Sequence, residues 1–111
     1  MFKKSERLNR IKFTEYFKTG RRFHSENFTL IFTPTPLRAT AVVVGKKVFK
    51  NAVDRNTLRR RVYAALRSQL ARDATTSGVY IIISKPSAKN IPKSAIVIEV
   101  GTLLASSGKP R

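Results

Sequence analysis

The 111-residue chain has no cysteine, one histidine and six acidic residues. Without thiols there can be no disulfide or thiolate metal site, and nothing demands an oxidising compartment, so a cytoplasmic location is expected. His24 has no cysteine to share a metal ion with and is expected at a strand edge or on the surface. Glu6, Glu15, Glu26, Asp54, Asp73 and Glu99 are scattered, with no close pair at helical or strand spacing. A two-metal nuclease holds its cations with clustered carboxylates, so neither a metal site nor a catalytic residue is expected. Gly45-Lys46-Lys47 lacks the upstream glycine and the Ser/Thr of a phosphate loop. Long apolar runs are missing too. None approaches bilayer length, and the basic start MFKKSERLNRIKF has no apolar run behind it, so no membrane span or secretory signal is expected.

What the chain does have is positive charge. Lys and Arg number 23 against the 6 acids, a net +17. Such self-repulsion is relieved by a polyanion, and nucleic acid fits better than an acidic membrane surface. The bland reading is a highly charged soluble surface; the one-signed clustering argues against it. A hydrophobic content of 41% suffices for one core. We therefore expect a single domain over residues 1–105 and a disordered tail over 106–111.

The first basic cluster, Lys3 to Arg22, predicts a short helix with Ile11, Phe13, Tyr16 and Phe17 along one side, Asn9 as N-cap and Gly20 as its stop. Gly20-Arg21-Arg22 reads as a charged turn. Phe28–Thr33 and Ala39–Gly45 read as strands separated by the prolines of TPTPL. Asn51 reads as the N-cap of a helix reaching Leu70 or Ala71, with Asp54 suited to its positive end. Leu58, Val62, Ala65, Leu66 and Gln69 share one face for packing; Asn56, Arg59, Arg60, Tyr63 and Arg67 share another that should meet a partner. Asp73–Gly78 is a polar loop, and Val79–Ile83 a buried strand. After the loop SKPSAKNIPK, residues 94–104 have helical spacing at Ile96, Val100, Leu103 and Leu104 but strand propensity in Ile96-Val-Ile-Glu-Val100; a helix is expected.

The stretch from Lys46 to Arg61 is the most informative. Arginine forks pair phosphate oxygens and stack on bases, and four arginines fall between positions 55 and 61. A solvated basic face is the ordinary explanation for one such helix. In a chain this basic, an RNA surface is the better one.

This stretch resembles the signature of the bacterial ribonuclease P protein family, a strand ending at a Lys-Lys pair followed by Asn-Ala-Val-x-Arg-Asn-Arg-x-Lys-Arg. Lys46, Lys47, Asn51, Ala52, Val53, Arg55 and Asn56 match, and Arg59 and Arg60 occupy the following basic pair. Thr57 stands where the family has arginine; Arg61 is the nearest replacement, read as pointing elsewhere on the helix. Phe13-x-x-x-Phe17 with Gly20-Arg-Arg22, Phe28-Thr-Leu-Ile31, and Val79 to Pro86 extend the resemblance in order.

The resemblance implies an α+β fold, a two-layer αβββαβα sandwich with a left-handed βαβ crossover, against the usual hand. It implies the protein subunit of an endoribonuclease whose RNA subunit is catalytic and removes the 5′ leader of precursor tRNA. Lys46, Lys47, Lys50, Arg55, Asn56, Arg59, Arg60 and Arg61 would face the catalytic RNA. A leader-binding cleft would hold Phe13, Phe17, Tyr63 and Arg67, with Ile31 where some members have an aromatic. Core packing is an equal explanation for the two phenylalanines. Magnesium would be held mainly by the RNA. Ribonuclease P RNA and precursor tRNA would be the partners of a monomeric protein, with no membrane contact. The alternatives are a ribosomal or ribosome-assembly RNA-binding protein, a module for anionic membranes or acidic proteins, and a free-standing nuclease.

Overall fold

The most apolar run of the chain becomes the middle of its sheet. The computed structural model describes residues 10–36, 38–71 and 77–107, and the elements are α1 (Arg10–Thr19), β1 (Arg21–His24), β2 (Phe28–Thr33), β3 (Arg38–Val43), α2 (Ala52–Ala71), β4 (Gly78–Ser84) and α3 (Lys93–Ser107), with a 3-10 turn over Pro86–Asn90. This is the αβββαβα order. One four-stranded sheet is ordered β1-β2-β4-β3. β4 pairs antiparallel with β2, Leu30 opposite Ile82, and parallel with β3, Val42 opposite Ile82. The parallel pair needs a crossover, which α2 supplies.

Alternation along the strands sorts side chains to two faces. Phe28, Leu30, Val42, Tyr80 and Ile82 meet Leu58, Val62, Ala65, Leu66 and Leu70 of α2 and Ile96, Val100 and Leu103 of α3 in the main core. The sheet with α2 and α3 forms the two expected layers, and α1 adds a helix on the opposite face. Ile31, Val79 and Ile81 point to the other face, where Phe13, Tyr16 and Phe17 of α1 pack on them. Each fully buried aliphatic side chain contributes about 1.5–3 kcal/mol.

Several expectations hold. α1 stops at Gly20, whose N–H donates to the Tyr16 carbonyl at 2.9 Å. A Cβ on Gly20 would overlap Ile31 Cγ2, so only glycine allows α1 to close onto β2. α2 ends at Ala71 as expected. Residues 94–104 are helical: Ile96, Val100 and Leu103 are buried against the core while Ile98 is 71% exposed. Packing on α2 overrides local strand propensity, helped by Gly101, where a Cβ would stand 3.0 Å from Gln69 Nε2.

Others are corrected. Ile11 is 80% exposed, since it falls off the stripe formed by Phe13, Tyr16 and Phe17. Arg21 and Arg22 are not in a turn; they begin β1, an edge strand paired antiparallel with β2. The strand expected over Ala39–Gly45 ends at Val43, because Gly45 accepts the Val48 N–H at 3.1 Å and starts a turn. Ser106 and Ser107, assigned to the tail, are the last residues of α3. Asn9, the loop residues 72–76 and the tail beyond Ser107 lie outside the described residues. Among the described residues, no helix is long and apolar enough to cross a membrane.

Candidate nucleic-acid interface

The basic stretch is built on a capped helix start. Asn51 Oδ1 accepts the Val53 N–H at 2.8 Å, and the Asn51 carbonyl accepts the Arg55 N–H at 3.1 Å. This is the N-cap arrangement its sequence position predicts. In the preceding turn, Val48 is buried and Phe49 packs on the main core. Lys46, Lys47 and Lys50 are left exposed. The turn is thus anchored by apolar residues and presents its lysines outward.

The signature residues then divide by role. Arg55 is half-buried, and its Nη1 donates to the carbonyls of Phe49 at 3.0 Å and Lys50 at 2.8 Å. It is a brace between α2 and the basic turn rather than an outward-facing cation. Asn56 Oδ1 accepts a hydrogen bond from Arg59 Nη2, which orients that guanidinium on the helix surface. Arg60, Arg61 and Arg67 are exposed. Thr57 Oγ1 donates to the Val53 carbonyl at 3.0 Å. Arg61 follows Thr57 by one turn of a continuous helix, so both lie on the same side. This corrects the expectation that Arg61 points elsewhere. Val53 is 67% exposed beside these cations.

The second group lies across the sheet. The Phe13 and Phe17 rings are half-buried, with centroids 5.7 Å apart and planes tilted by 32°. Beneath them Ile31 is 1% exposed, so it forms a floor that nothing can stack on. Tyr63 packs on the main core, on the opposite face from the two phenylalanines. The expected four-residue cleft of Phe13, Phe17, Tyr63 and Arg67 is therefore not formed: α2 and α1 cover different faces of the sheet. His24 is exposed on the edge strand, its Nδ1 3.1 Å from Thr29 Oγ1.

Two features escaped the sequence reading. Arg22 sits over the Phe17 ring, with Cζ 4.8 Å from the centroid, and its Nη2 donates to the Phe17 carbonyl at 2.9 Å. Its signal was an arginine five residues beyond an aromatic, disguised by Gly20 between them. The other is a polar clasp on the β1–β2 connection. Glu99 of α3 accepts hydrogen bonds from Ser25 Oγ, from the Asn27 N–H at 2.7 Å and from Asn27 Nδ2 at 2.8 Å. Lys85 Nζ donates to the Ser25 carbonyl at 2.6 Å, and Ser87 Oγ to the Glu26 carbonyl at 3.0 Å. Burial pushes the Glu99 carboxyl upward, but the donors from Ser25, Asn27 and Phe28 outweigh it and hold it below its ordinary value. No sequence pattern links positions so far apart.

Among the described residues, no three histidine, aspartate or glutamate side chains come together to hold a metal ion.

A basic α+β domain with an arginine-rich helix over one face of a mixed four-stranded sheet carries the charge footprint of a nucleic-acid-binding protein. The family model described as "Ribonuclease P" matches residues 2–107, and the chain belongs to that family. A relative from Parasynechococcus marenigrum (strain WH8102), the "Ribonuclease P protein component", is 32% identical over 86% of this chain and 87% of its own length. The RNase P protein of Staphylococcus aureus superposes with a TM-score of 0.78 at 20% identity, over 95% of this chain and 97% of that one. The RNase P protein of Thermotoga maritima does so with 0.78 at 22%, over 91% and 96%. The role is that of the protein subunit of ribonuclease P, an endoribonuclease that works with an RNA subunit. The ribosomal-protein alternative is not favoured.

Proposed function

We propose that the protein joins ribonuclease P RNA to the 5′ leader of precursor tRNA through two separate surfaces. The observation that carries this is their separation: the exposed cations of the signature stretch, Lys46, Lys47, Lys50, Arg60 and Arg61, lie around the start of α2, and the Phe13–Phe17 pair lies on the opposite face of the sheet. Lys46, Lys47, Lys50, Arg59, Arg60 and Arg61 face the catalytic RNA, where fixed positive charge replaces condensed counterions. Asn56 orients Arg59 for that contact and keeps its amide donors for RNA oxygens. Arg55 holds the turn that carries the lysines.

The α1 face receives the single-stranded leader. Aromatic rings and nearby cations bind a single strand with little sequence preference, which suits leaders that differ between transcripts. The RNA subunit supplies the catalytic magnesium, and the protein lowers the amount required by contributing positive charge of its own. It acts as a monomer within the ribonucleoprotein, in the cytoplasm.

The test is cleavage of a 5′-extended precursor tRNA at low magnesium by bacterial ribonuclease P RNA alone, the protein alone and the mixture. Cleavage at the mature 5′ end by the mixture alone is the expected result. Equal cleavage with and without the protein, under conditions where it binds the RNA, would sink the reading. Cleavage by RNA-free protein would revive the free-nuclease alternative.

A further inference from the structure

Across the β1–β2 pair, Arg22 stands opposite Ile31. Cross-strand partners share a face, so both belong to the α1 side of the sheet. Ile31 is a sealed floor at 1% exposure, whereas Arg22 is exposed. The 2.9 Å hydrogen bond to the Phe17 carbonyl and the 4.8 Å contact with the Phe17 ring hold the head group against α1. Phe13 lies beside Phe17, with ring centroids 5.7 Å apart.

We propose that Arg22 is a leader-binding residue, whose guanidinium, laid on Phe17, offers the plane on which an unpaired leader base stacks. The inference rests on the reading of the α1 face as the leader surface and adds a residue to it. Bases stack on arginine planes as they do on aromatic rings, largely without regard to sequence. A cation already resting on an aromatic face has little side-chain freedom left to lose on binding. The stacking surface that an aromatic at position 31 would provide is supplied instead by its neighbour across the ladder.

The bland alternative is that Arg22 only latches α1 to the edge strand. Arg22→Lys separates the two, since lysine keeps the charge and loses the plane. The experiment uses the holoenzyme reconstituted with bacterial ribonuclease P RNA. It measures affinity for precursor tRNA carrying either a single-nucleotide leader or a long one, the long leader also with each base removed in turn. Arg22→Lys is expected to weaken long-leader binding about fivefold or more, the scale of one stacked base, and to leave the single-nucleotide leader unchanged. One abasic position should cost the wild type a similar factor and cost Arg22→Lys nothing. Arg22→Gln keeps a flat head group without the charge and should retain part of the coupling to that position.

Equal affinities of Arg22→Lys and wild type on both substrates would overturn the proposal, as would equal losses on both. If wild-type affinity depends on leader length but no abasic position couples to residue 22, Arg22 alone is refuted and the leader surface stands. If leader length has no effect on the protein's contribution, both fail.

Discussion

Arg55 donates to the carbonyl of Lys50 at 2.8 Å, and so a residue of the arginine-rich signature faces its own chain. With the second bond to Phe49, its guanidinium fastens the basic turn to the first turn of α2. Removing it leaves two carbonyls short of a charged donor. Arg55→Ala should cost about 1–3 kcal/mol of stability. Arg60→Ala, at an exposed position, should stay within about 0.5 kcal/mol while weakening RNA binding. Thermal unfolding beside RNA titration of both variants separates brace from contact. Equal unfolding temperatures would refute the assignment.

The salt dependence of RNA binding should report the exposed cations. If the protein neutralises roughly eight phosphates, the slope of log K against log salt should be near −7 for duplex-like contacts. Arg60→Ala and Arg61→Ala should each make it shallower by about one.

Thr57→Arg restores the family cation one turn before Arg61. It should steepen that slope by about one and raise affinity. It should also lower the stability of the free protein by about 0.2–0.5 kcal/mol through repulsion along the helix. An unchanged slope would mean that position 57 meets no phosphate in this protein.

Glu99 makes stability depend on acid in a definite direction. Burial raises its carboxyl, and the hydrogen bonds from Ser25, Asn27 and Phe28 bring it to a net value below the ordinary 4.5. A carboxyl that ionises more readily in the fold than in the unfolded chain stabilises the fold above its unfolded value. That contribution is lost as the pH falls through the folded value. Urea midpoints should therefore drop below about pH 4.5, and Glu99→Gln should flatten that part of the curve. At neutral pH the variant should cost about 1–2 kcal/mol, with RNA binding through α2 unchanged.

Gly78 opens β4 with φ at +122°, and a Cβ there would lie 2.6 Å from Phe32 Cε1. Gly78→Ala combines backbone strain with a clash in a close-packed sheet and should cost about 2–4 kcal/mol. Chemical denaturation measures it. A cost under about 0.5 kcal/mol would show that the strand start shifts freely.

The helical stripe of α2, its Asn51 cap and the apolar run of β4 were legible along the chain, because period and capping chemistry are local properties. The order of elements and the arginine-rich signature were legible for the same reason. By themselves these residues determined a basic domain of mixed helix and strand suited to RNA. The tertiary structure decided which arginine is a brace and which is a contact, since Arg55 and Arg60 differ only in what lies beside them. It separated Tyr63 from Phe13 and Phe17, because helices that look equivalent in sequence cover opposite faces of the sheet. It brought Glu99 to Asn27 and laid Arg22 on Phe17. Such contacts depend on strand pairing and helix packing between distant segments, and no local pattern of residues encodes them.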